Sequence, residues 1–149
     1  MSRLFFETDA AEPCPIEFGG PSGVLVFFIS LAFATRYGSL HPLSQLSLLL
    51  RGERKVNMTP LTTFADRNVE VEADRVELER VWQDAAPLAA TLRAVTEALA
   101  SPTGRPADDA RFAELTADFP DLRDRLADLL RMAEWAAERG ARARLSFEL

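Results

Sequence analysis

Residues 24–34 read VLVFFISLAFA, eleven positions of which only Ser30 is polar. An amphipathic surface helix would carry a polar stripe, so a run that is apolar on every side has to be enclosed. Eleven residues fall short of the roughly 20 that a membrane-spanning helix needs. Extending the run toward Leu50 draws in Arg36, His41, Pro42 and Gln45. It also starts late, behind an acidic rather than basic leader, unlike the apolar region of a secretory signal. The expectation is a buried core element, in a cytoplasmic protein with no membrane contact.

Working outward, the run is introduced by Gly19-Gly20-Pro21-Ser22-Gly23, with Ser22 placed to cap a helix that reaches Arg36. Upstream, SRLFFET (residues 2–8) reads as a short strand, Pro13 and Pro15 interrupt it, and residues 16–18 are expected to resume as a second strand. Downstream, Pro42 opens another helix, with Leu43, Leu46, Leu49 and Leu50 at helical spacing before Gly52. Residues 53–73 are rich in turn formers and read as a hairpin region. There Val69-Glu70-Val71-Glu72 alternates with period two, which would turn the valines inward and the glutamates to water.

A long helical pattern follows over residues 74–100, with Asp74 and Glu77 at capping-box spacing. Its apolar stripe includes Val76, Trp82, Leu88, Leu92, Val95 and Leu99. Pro87 predicts a kink near residues 83–86, or two helices restarted by Asp84. After the loop SPTGRP (residues 101–106) come a helix over 108–117 and a last one from Pro120. The last helix carries Leu122, Leu126, Leu129, Ala133 and Ala136 on one side and stops at Gly140. The tail RARLSFEL (residues 142–149) alternates, with Leu145, Phe147 and Leu149 opposite Arg144, Ser146 and Glu148. Neither terminal strand is stable alone, so pairing in one sheet is expected. The fold class that results is α+β: one domain over residues 1–149, mostly helical, with a small sheet of N-terminal, central and C-terminal strands.

Composition bounds the function. A chain of 149 residues buries a proper core within one domain. Its net charge of -6 works against nucleic acid and anionic lipid. One lysine, Lys55, leaves sixteen of the seventeen basic residues as arginine, a bias that codon usage accounts for. The single Cys14 excludes an internal disulfide and suits a reducing compartment.

Several residues stand out chemically. The glycine loop ahead of a helix N-terminus suits an anion, which would be held at Gly20, Ser22 and Gly23, with Tyr37 and His41 near in sequence. It lacks both the G-x-x-x-x-G-K-[ST] and the G-x-G-x-x-G patterns, and Pro21 removes a donor. His41, the only histidine, has no nucleophile motif beside it and fits a helix cap. One Cys and one His cannot build a zinc site, and no metal or other cofactor is expected. Residues 51–55 (RGERK) form the one basic cluster and could contact nucleic acid, although they lack aromatic interleaving. Trp135 at a stripe margin, with Arg131, Arg51 and Arg54, is a candidate interface group.

No catalytic constellation emerges, so the leading expectation is a non-enzymatic protein–protein interaction module: a small subunit, adaptor or inhibitor that meets a protein partner or forms a homo-oligomer. A small-molecule or anion site at residues 19–23 is the alternative, and nucleic-acid binding through residues 51–55 the second.

Overall fold

A computed structural model describes residues 2–30, 41–101 and 103–149. In chain order the elements are β1 (Arg3–Thr8), α1 (Gly23–Ile29), α2 (Pro42–Gly52), α3 (Thr59–Thr62), β2 (Phe64–Asp66), α4 (Glu72–Arg80), β3 (Trp82–Asp84), α5 (Ala85–Ala100), α6 (Pro106–Thr116), α7 (Leu122–Glu138) and β4 (Arg142–Glu148). The α+β class is as expected, and the two ends of the chain pair. β1 lies antiparallel to β4, with Leu4 opposite Phe147 and Phe6 opposite Leu145. The other edge of β4 takes two short strands: β2, parallel, at Leu145–Phe147, and β3, antiparallel, at Arg142–Arg144.

Period-two alternation gives the sheet two unlike faces. Leu4, Ala143, Leu145 and Phe147 turn inward and are buried under α1 and α7. The outer face carries Phe5, Glu7, Arg144, Ser146 and Trp82. Ser146, expected in water, is fully buried there beneath Glu7 and the Arg67 guanidinium. Leu149, expected on the inner face, is exposed.

The described part of the apolar run, residues 24–30, is enclosed as its composition demands, with Leu25, Val26, Phe28, Ile29 and Ser30 buried. Residues 31–34, and the expected continuation of the helix to Arg36, lie outside the described residues. The α7 stripe behaves as written in the sequence, with Leu122, Leu126, Leu129, Ala133 and Ala136 all fully buried and packed chiefly on α5.

Four expectations are corrected. The Val69–Glu72 alternation is not a strand: Val69 and Val71 are exposed, because the Asp74 carboxylate accepts the N–H groups of Glu70 (2.9 Å) and Val71 (3.0 Å) and starts α4 there. Those N–H groups also hold the Asp74 carboxyl below the usual carboxylate range. The central strands are instead β2 and β3, each three residues long. The helix expected over 74–100 is cut in two. Pro87 stands third in α5, inside the first turn where no intrahelical donor is needed. Residues 82–84, which a continuous helix would have absorbed, add to β4 as a strand. Trp82, read as core, sits half-buried on the outer face with Arg144 over its ring at 4.7 Å. Finally, residues 16–18 form no strand, although Cys14, Ile16 and Phe18 alternate inward as in one.

Truncating Leu145, fully buried where β1, β2 and β4 meet, should cost about 2–5 kcal/mol for Leu145→Ala. Val69→Ser, at an exposed position outside the helix cap, should stay within about 0.5 kcal/mol. Urea unfolding followed by tryptophan fluorescence measures both.

Candidate functional site

The glycine loop is spent on packing. Ser22 does not cap α1. Its hydroxyl instead accepts the Leu4 N–H (2.9 Å) and donates to the Leu4 carbonyl (3.0 Å), clasping β1 from the side away from β4. A Cβ on Gly23 would stand 2.7 Å from the Ser2 carbonyl oxygen, so only glycine allows α1 to start that close to β1. The Gly19 N–H donates to the Asp128 carboxylate at 2.9 Å. Asp128 is buried, 3.2 Å from the Arg125 guanidinium and also paired with Arg131. A side chain on Gly20 would collide with the Arg125 guanidinium. One backbone donor of the loop, the Gly19 N–H, does meet an anion, and that anion is the protein's own Asp128.

The other residues singled out in the sequence have separate places. Tyr37 lies outside the described residues. His41 caps α2, its Nδ1 accepting the Leu43 N–H at 3.1 Å. Its ring stacks on Phe27 (4.7 Å between centroids) and tilts against Phe119 (5.2 Å), tying α1, α2 and the approach to α7 together. Burial among these rings lowers its pKa below the ordinary 6.5. Arg54 donates to the Ser101 carbonyl at 3.4 Å, while Arg51 is exposed. Trp135 is half-buried under the Arg139 guanidinium, 3.8 Å from its ring centroid. Arg131, expected at an interface, is a partner of Asp128. Ser22, His41, Arg54 and Trp135 thus each serve a different local contact.

The feature that sequence reading missed is the free edge of β1. Ser22 on Leu4 and the bond from the Asp9 N–H to the Arg142 carbonyl (3.2 Å) fix which residues face which way. Arg3, Phe5 and Glu7 address β4 through their backbone, and Leu4, Phe6 and Thr8 address the open side. Leu4 is taken by Ser22. The backbone N–H and C=O groups of Phe6 and Thr8 have no partner among the described residues.

They open onto a groove of about 750 Å³ whose far wall is the extended segment 13–18 and whose floor includes Met132 of α7. Cys14, Ile16 and Phe18 turn into it. Pro13 and Pro15 have no N–H, which is why this wall runs beside β1 without pairing to it. The wall is held at its ends instead, by Glu12–Arg139 (3.7 Å) before it and Gly19–Asp128 after it. At the rim, Glu7 is occupied by Arg67 (3.1 Å) and Arg144 (2.8 Å), with Arg67 lying 3.9 Å over the Phe5 ring. The signal was present in the sequence: an edge strand without Lys or Pro to blunt it, followed by a Pro-x-Pro arm with apolar residues at every second position.

No family model, curated protein or solved structure matches this chain. Among the described residues no helix is long and apolar enough to cross a membrane, and no group of three or more His, Cys, Asp or Glu could hold a metal ion.

His41 yields a test of this geometry. A histidine whose folded pKa is depressed contributes stability that is complete above its unfolded value and drains away as pH falls through the folded one. Unfolding free energy should therefore drop as pH is lowered from 7.5 toward 5, and the drop should shrink in His41→Asn, which keeps a capping acceptor. Nitrogen-15 NMR of the single imidazole should show a midpoint below 6.5 with Nδ1 unprotonated at neutral pH.

Proposed function

We propose that this protein is a non-enzymatic interaction module that receives an extended segment of a partner protein along the free edge of β1. The observation that carries this reading is the pair of backbone units at Phe6 and Thr8, without a partner among the described residues, opening onto an apolar groove. Backbone donors and acceptors shielded on one side by apolar walls gain by pairing, and an added strand supplies a partner for each while its side chains fill the groove. The groove's volume lies within the range of small-molecule pockets. Its polar groups, however, are strand backbone in a row rather than charged side chains converging on a point, which suits a peptide better than a metabolite. Of the charged side chains that line it, Glu7 is bound to two arginines, while Arg3 and Glu17 are exposed and opposite in sign.

The rim offers a direct test, since Glu17 lines the groove and is exposed. A photoactivatable maleimide on Glu17→Cys in a Cys14→Ser background should crosslink, in extract of the source organism, to one contiguous segment of a partner. The same label on Arg75→Cys in that background should not, since Arg75 is exposed on α4. Adding Ile16→Arg, which puts a charge and bulk into the groove, should abolish the Glu17→Cys crosslink. Identical partners from both labelled positions, or a crosslink indifferent to Ile16→Arg, would refute the reading.

A further inference from the structure

Resting on that reading, we infer that the occupant is a single strand of a partner protein with a three-residue core, apolar–any–apolar, and that a second copy of this chain is excluded. The length follows from two stops. At one end Ser22 consumes both backbone groups of Leu4, so no ladder passes that residue. At the other, β1 turns back on β4: the Asp9 N–H goes to the Arg142 carbonyl, and the Asp9 carboxylate takes the Arg142 backbone N–H at 2.7 Å and its guanidinium at 2.9 Å. Those two contacts, the backbone one foremost, hold the Asp9 carboxyl below the usual range. The Thr8 hydroxyl closes the turn by donating to the Arg142 carbonyl and accepting the Ala10 N–H. Four backbone groups, on Phe6 and Thr8, are left for a partner.

The core pattern follows from the pleat. Residues opposite Phe6 and Thr8 project to the same face as those two, toward Met132, Ile16 and Phe18, and the residue between them projects away. A second copy is excluded by the walls. Its β1 is flanked by its own β4 on one side and its own segment 13–18 on the other, so pairing two β1 edges would force each copy's arm into the other's groove. Charge acts in the same sense, since a net -6 on each copy opposes self-encounter.

Peptides selected from a displayed random library on the immobilised full-length chain are the probe. Selected sequences should share the apolar–any–apolar core. Single N-methyl groups walked along such a peptide should weaken binding about tenfold or more at alternate residues only, the loss expected for one hydrogen bond whose partner is left unmade. Peptides that need an open groove (lost in Ile16→Arg) yet ignore every N-methyl group would overturn the ladder while leaving the groove's role standing. Peptides indifferent to Ile16→Arg would remove both. A wild-type dimer in light scattering, displaced to monomer by the peptide, would make the occupant a second copy and overturn the exclusion.

Discussion

The final strand of the chain is the one element with partners on both edges, and the sheet depends on it. β1 reaches only β4, and β2 and β3 contribute three residues each to the opposite side of that same strand. Strands so short have no stability of their own. They persist because β4 fixes their register and because α7, which leads into it, buries Ala143, Leu145 and Phe147. On the outer face the same strand supplies Arg144, only 15% exposed, which pairs with Glu7 and Glu79 and covers Trp82. Charges this far from water are retained where partners surround them, and removing one would strand the others. That network binds β1 (through Glu7), β3 (through Trp82) and α4 (through Glu79) to one residue of β4.

What the sequence disclosed tracks how local each determinant is. The buried run, the α7 stripe and the strands at the two ends are set by periodicity within a few residues, and each was legible. Val69–Glu72 has the period of a strand. The Asp74 carboxylate nevertheless reaches its backbone donors first, and a side chain competing for N–H groups leaves no trace in a hydrophobic pattern. β2 and β3 are strands because β4 has an open side there, a fact located some sixty or more residues away. Pro87 announced the break in the helix, but nothing in its neighbourhood said that the freed residues would join a sheet.

The glycine loop illustrates the same limit in the candidate site. Clustered glycines before a helix mean that something must come close. The sequence alone left open whether that was a bound anion or the protein itself. The answer lay in Asp128 and Arg125, more than a hundred positions on, which meet Gly19 and Gly20, and in Ser2, which crowds Gly23. The edge groove was half legible for a related reason: the unblunted strand and the Pro-x-Pro arm can be read singly, but only their juxtaposition sets the open backbone edge against apolar side chains.

Keeping that edge open has a cost that the fold could have avoided. Proteins ordinarily blunt an edge strand with a lysine, a proline or a covering segment. Here a covering segment is present, runs extended beside β1, and carries apolar residues at the right alternation to be a strand. Yet two of its six residues are prolines that cannot donate, and its anchors lie at its ends rather than along its length. Had residue 13 or 15 carried an N–H, the shortest route to stability would have been to close the ladder onto Phe6 and Thr8 and extend the sheet by one strand. The sequence blocks that closure while preserving the apolar alternation. That combination is what motivates the proposal of a strand from elsewhere beside β1.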